Sequence, residues 1–348
     1  MDPTTAAIGN VPAPGLHGPD STEGVMRAVV QDAYGSTDVL RLTEIARPEI
    51  ASNEVLVKVV AAGMDRGTSH VMTGKPYLMR VLGFGFRRPK NRVPGLDVAG
   101  TVVAVGPDVT RFKPGDDVFG MSRGAYAEYA PVRESKLARK PDSLSFEQAA
   151  VVPISGGTAL QALRKAGRIK AGDKVLVIGA SGGVGTYAVQ LAKAFGAEVT
   201  GVCSASKADL VRSIGADHAI DYATADYLGG AKRYDFIVDI AGNNSLRRLR
   251  RALTTKGTLV IVGGEEGGSI TGGFGRSLRS GLVSLFVSQR LTMLASKEQS
   301  SDLEELSQYI EKGQVVPVID RTYPLAQVPA AMAHLEAGEA RGKIAIMI

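Results

Sequence analysis

The chain has 348 residues, 44% hydrophobic and 22% charged, an ordinary globular composition with length enough for two cores rather than one. That excludes a disordered chain, and a net charge of +6 whose basic clusters carry no interleaved aromatics excludes a nucleic-acid partner. One cysteine, Cys203, rules out an intrachain disulfide and points to a reducing, cytoplasmic compartment, while no apolar run is long enough for a membrane partner to be expected.

In chain order, residues 1–24 carry four prolines and four glycines, with nothing to bury and no signal-peptide pattern, and are expected to be a disordered extension. Structure is predicted to begin at Met26–Val30. Strands follow at Glu54–Val60 and Ala99–Val105, and a turn and strand at Phe112–Phe119, so residues 25–149 read as a small β-barrel. From residue 150 the texture changes to strands alternating with helices. The strands are Lys174–Gly179, Glu198–Cys203, Phe236–Ile240 and Thr258–Val262; the helices are Val184–Phe195 and Lys207–Ile214. That alternation predicts a doubly wound parallel sheet over residues 150–290. The remainder, 291–348, reads as a helix ending near Lys312-Gly313, an extended piece Val315–Tyr323, a further helix and a last strand Lys343–Ile348.

The clearest chemistry is the run Val175–Gly185, in which a buried strand enters a glycine-rich turn that opens a helix. Glycines let the backbone turn sharply and approach a pyrophosphate, which the helix N-terminus binds through its free N–H groups and dipole. Ser181, Gly182, Gly183 and Val184 are the expected cradle. Ligands bind beyond the carboxyl ends of parallel strands, which adds Ala241, Gly242 and Gly263.

Which dinucleotide it takes is read at the end of the next strand, where NAD-binding proteins place an acid on the ribose 2′-hydroxyl. Here Ser204-Ala205-Ser206-Lys207 holds no carboxylate before Asp209. A 2′-phosphate would find hydroxyls and a cation there, so NADPH is expected, with Ser204 and Lys207 as contacts. The plainer reading of the same residues is a solvated helix start with Ser206 as its cap.

Pro94–Gly100, Phe112–Asp116, Gly124–Tyr129, Gly157-Thr158-Ala159, Gly182–Gly185, Gly215–Asp217, Tyr234-Asp235 and Arg341–Lys343 occur in an order that resembles the medium-chain dehydrogenase/reductase superfamily, on its zinc-independent quinone oxidoreductase side. The resemblance spans Met26 to Ile348 and implies an α/β fold: a GroES-like β-barrel catalytic domain, a Rossmann cofactor domain, and a C-terminal return to the first. It also implies that Thr158 faces the nicotinamide, that Tyr222 lies over the adenosine phosphate, and that the protein is a homodimer. The apolar stretch Leu282–Val287 is a candidate for that interface or for a pocket cover.

The superfamily's alcohol dehydrogenases hold zinc with two cysteines and a histidine. This chain has Asp65, Leu96 and a serine near Ser155 at those places, so no metal site is expected. Proton-donor candidates are Asp65 and His70 in Gly63–His70, with Tyr77 and Tyr126; for His70 and the tyrosines a packing role is the competing reading. A segment Tyr77–Arg92, bearing Phe84, Phe86 and several basic residues, is placed near the cleft, where it would shape the substrate pocket. The expected function is hydride transfer from NADPH to a quinone or α,β-unsaturated carbonyl, small molecules whose charge delocalises without a Lewis acid. The alternatives are a zinc-free NADP-dependent alcohol dehydrogenase or carbonyl reductase, and a non-catalytic NADPH-binding redox sensor.

Overall fold

The computed structural model describes residues 24–241, 244–263, 280–284 and 286–348. The N-terminal extension, Gly242 and Leu285 therefore lie outside the described residues. Two large sheets and a separate two-stranded one organise the remainder.

The first is a barrel-like sheet. Strands β3 (Glu54–Met64), β4 (Asp97–Val105), β5 (Asp117–Met121) and β7 (Leu137–Arg139) follow one another antiparallel, with β6 (Tyr129–Arg133) paired on β3. A hairpin of β1 (Val25–Val30) and β2 (Arg41–Ala46) joins this unit where the Val29 N–H donates to the Tyr126 carbonyl at 2.9 Å. Helix α1 (Arg66–Thr73) leaves the end of β3. Asp65 caps its start, Oδ1 accepting the Thr68 N–H at 2.9 Å, and Gly74 ends it at φ +62°, a conformation natural to glycine. Short helices α2 (Phe146–Ala150) and α3 (Pro153–Leu160) lead out of the barrel.

The second sheet is parallel throughout, in the order β10 (His218–Asp221), β9 (Glu198–Cys203), β8 (Lys174–Ile178), β11 (Tyr234–Asp239), β12 (Leu253–Ile261) and β13 (Arg290–Met293). This is the 3-2-1-4-5-6 arrangement of a Rossmann sheet. Val175–Ile178 of β8 is buried on both faces, as a central strand covered by helices must be. Helices α4 (Gly183–Ala194), α5 (Ala208–Ser213) and α6 (Leu246–Ala252) provide crossovers.

The expected boundary at residue 290 falls inside this unit. Strand β13 is its sixth strand, and Leu303 and Leu306 of α7 (Ser300–Glu311) lie in the core shared with α3 and α4. The return begins later than expected, with β14 (Ile319–Pro324), α8 (Val328–Glu336) and β15 (Lys343–Met347), and β15 closes antiparallel on β3. Its four-residue length hid β13, and β10, equally short, was not among the expected strands.

The segment 77–92 differs from expectation as well. It forms a protrusion beyond α1 and lines neither part of the cleft described next.

Candidate active site

A long cleft opens over the carboxyl ends of the parallel strands, where β8 and β11 part. One half, of about 780 Å³, runs along β9 and β10, and the other, of about 490 Å³, runs inward between α4, α1 and the C-terminal return. Gly179, Ser181, Lys207, Tyr222, Ala241 and Gly338 border both halves, so the space is continuous.

Its centre is the glycine turn. Gly179 has φ +89°, and a Cβ on Gly185 would stand 2.0 Å from the Gly179 carbonyl oxygen, so only glycine lets α4 start this close to β8. Gly182 caps α4 without any side chain, leaving the first N–H groups of a twelve-residue helix facing the cleft. The turn is braced from the far end of the chain: the Gly342 N–H donates to the Ser181 carbonyl at 2.9 Å, and Gly182 and Gly342 pair as an isolated parallel bridge.

Thr158, Ser181, Gly182, Gly183, Val184, Ala241 and Gly263 all line the inner half, as expected, and Ser204 lines the outer half. Tyr222 is 59% exposed over the junction. Lys207 is also at the junction, but its ammonium is already engaged: Nζ donates to the carbonyls of Gly338 and Ala340, both at 2.8 Å. Burial pushes this lysine below its usual range. The expected free cation is therefore a tie to the C-terminal return. Arg248 borders the outer half instead, paired with Asp226.

The inner half brings together Asp65, Arg66 and His70 from the start of α1, Ser155 and Thr158 from α3, and Lys343 from β15. Asp65 is buried, and while its Oδ1 caps α1, its Oδ2 has no hydrogen-bond partner among the described residues. Behind it, fully buried, stands Asp97. One of its oxygens accepts the Ile154 N–H at 2.8 Å and the other accepts from Lys343 Nζ at 3.1 Å. Burial raises the Asp97 carboxyl to about 6, against the opposing pull of Lys343 and with a further push from Asp65. Asp97 and Lys343 fall in segments that carry the family resemblance but were given no site role from sequence, although an acid between the apolar neighbours of Leu96-Asp97-Val98 was a legible sign.

Two proton-donor candidates fall away. Tyr77 is 43% exposed, stacked under the Arg80 guanidinium at 4.7 Å, and does not line the cleft. Tyr126 is wholly buried in the barrel core, its hydroxyl donating to the Gly63 carbonyl at 3.3 Å, and burial drives the phenol well above its ordinary value. Its hydroxyl is a satisfied core group rather than a donor to substrate. Among the described residues no three His, Cys, Asp or Glu side chains gather in a way that would hold a metal ion.

With this geometry in place, comparison with known proteins gives a consistent answer. Residues 51–142 match the alcohol dehydrogenase GroES-like domain family and residues 214–346 the zinc-binding dehydrogenase family. A mitochondrial NAD(P)H oxidoreductase of Mus musculus is 33% identical over 97% of this chain and 94% of its own. The chloroplastic NADPH-dependent alkenal/one oxidoreductase of Arabidopsis thaliana is 34% identical over 92% of this chain and 79% of its own. The structure of the quinone oxidoreductase from Coxiella burnetii superposes with a TM-score of 0.80 at 28% identity, covering 93% of this chain and 99% of that one. The chain belongs to the medium-chain dehydrogenase/reductase superfamily, on its quinone oxidoreductase-like branch. It is an oxidoreductase with the α/β, two-unit build of that family.

Proposed function

We propose that the protein is a zinc-independent reductase that uses NADPH to reduce a quinone or an α,β-unsaturated carbonyl. The observation that carries this reading is the joined cleft: a dinucleotide-sized trough with the N-terminus of α4 at its centre, whose inner end is polar but free of thiolate. The residues suit the coenzyme. Free N–H groups of α4 with Ser181 and Gly182 would hold the pyrophosphate, and Ser204, at a strand end without a carboxylate, leaves room for a 2′-phosphate.

When bound, the reduced nicotinamide supplies the hydride. The chain's own part is to receive the charge that then develops on the substrate oxygen. The His70 ring lines the inner half with no partner among the described residues and can donate to that oxygen, imidazole being the side chain best suited to proton transfer near neutral pH; the buried Asp65 Oδ2, which also lacks a partner there, is an acceptor beside it. A quinone or enone needs only such hydrogen bonds, because its charge spreads over a conjugated system. The relatives' names, an alkenal/one reductase and a quinone oxidoreductase, support the same substrate class.

The test is oxidation of NADPH and NADH by purified protein with a quinone, an enone and an aldehyde, alongside elemental analysis for zinc. Turnover of quinone or enone with NADPH preferred, and far less than one zinc per chain, is the expected result. Turnover of the aldehyde alone, or an activity lost with chelators, overturns it. We also infer a homodimer, since β13 is the sheet's edge strand and Leu282 and Phe286 beside it are 63% and 85% exposed. Light scattering showing a monomer would count against this. The lone cysteine, buried and with its thiol pushed up by burial, suits a reducing cytoplasm, which fractionation of cells would check.

A further inference from the structure

The protrusion after α1 takes no part in the cleft, yet it is built. Arg80 folds back to donate to the Gly74 carbonyl at 2.8 Å, the Tyr34 hydroxyl donates to the Gly85 carbonyl at 2.6 Å, and the Lys90 N–H donates to the Phe84 carbonyl at 2.8 Å. On this pinned frame the large apolar side chains point outward. Val81 is 71% exposed, Phe86 73% and Phe84 38%. Beside them Arg87, Arg88 and Lys90 are exposed, and their side chains meet no anionic partner among the described residues. The charge bias is complete over this stretch: residues 66–96 contain seven lysines and arginines and no aspartate or glutamate.

We propose that this protrusion is a peripheral docking surface for an anionic phospholipid bilayer. Apolar tips set among unpaired cations fit the boundary between headgroups and acyl chains, where the side chains of Phe86 and Val81 leave water while the cations meet lipid phosphates. Phe84 and Phe86 could also stack on bases, but Val81, as exposed as Phe86, has no such use and fits an acyl-chain boundary, which favours the bilayer. A second copy would present the same charge and be repelled. No helix among the described residues is long and apolar enough to cross a membrane, so the contact is superficial. The inference does not depend on the reading of the active site.

The test is co-sedimentation of the full chain with phosphatidylcholine vesicles, with and without phosphatidylserine, at low and high salt. Wild type should sediment only with the anionic vesicles. Each cation removed near such a surface weakens binding about fivefold, so Arg87→Gln/Arg88→Gln should lose about twenty-fivefold. Phe86→Ser should lose about tenfold or more through its apolar contribution. Both variants should keep the wild-type unfolding temperature, since these side chains are exposed. Arg247→Gln/Arg251→Gln, which removes equal charge from α6, should bind as wild type does. Equal losses in both double variants, unchanged binding by Phe86→Ser, or capture of RNA in place of vesicles would each overturn the proposal.

Discussion

Lys343 Nζ lies 3.1 Å from Asp97 Oδ2, an ion pair formed across 246 residues between two side chains that are almost wholly removed from water. Breaking such a pair from one side leaves a buried charge uncompensated, so Lys343→Met should cost about 3–5 kcal/mol, while Asp97→Leu/Lys343→Met recovers much of it. The pH dependence has a definite sign. The Asp97 carboxyl is held at about 6 in the folded protein, against about 3.9 in the unfolded chain, so its share of stability is full below pH 4 and is lost as pH rises through 6. Lys343 opposes that rise, so Lys343→Met extends the loss to higher pH. Urea unfolding at pH 5 and pH 8 should show a larger deficit at pH 8.

The glycine turn offers a clean probe of coenzyme binding. A Cβ on Gly183 would strike Lys343 Cδ at 2.9 Å, so a change there disturbs the ion pair as well. Gly182 has φ −85° and only the Gly179 carbonyl near its missing Cβ, at 3.6 Å. Aspartate is a good N-cap residue, so Gly182→Asp should fold, yet it sets a carboxylate where phosphate is to bind. We expect titration with NADPH to detect no binding at micromolar concentrations, with the unfolding temperature preserved.

Coenzyme preference should follow Ser204 rather than Lys207. Ser204→Asp places a carboxylate at the end of β9 and should lower kcat/KM for NADPH about a hundredfold while sparing NADH. Lys207→Ala releases Gly338 and Ala340 and should weaken both coenzymes alike, moving their ratio by less than about threefold. A ratio that collapses in Lys207→Ala would show that the ammonium leaves its carbonyls for the coenzyme.

The proton-donor assignment separates by kinetics and stability. His70→Gln should lower kcat about a hundredfold at unchanged unfolding temperature. Tyr126→Phe removes one modest hydrogen bond in the barrel core and should cost about 1 kcal/mol with kcat/KM unchanged. A tyrosine variant that stays stable but loses turnover would reverse the two roles.

What was legible in the sequence was local. The glycine turn declares itself because strand, turn and helix occupy one continuous stretch, and Glu198–Cys203 was recognisable from its own apolar run. Contacts between distant segments left no such trace. Nothing around Lys207 announces that the carbonyls of Gly338 and Ala340, more than 130 residues on, will take its ammonium. Likewise, an aromatic such as Tyr126 reads the same whether it faces a cleft or a core; only the closing of the barrel over it decides. Short edge elements such as β13 are too brief to show a period, which is why the boundary at 290 missed it.

The bridge between Gly182 and Gly342 also sets a timetable for the protein's birth. Ser181 emerges from the ribosome about 160 residues before its clasp, a delay of roughly 10–30 s at ordinary rates of synthesis. During that interval the Rossmann strands can pair while the barrel still lacks β15 and the turn has no brace. The turn that is to hold the coenzyme thus takes its final brace only when residues 338–347 have been made.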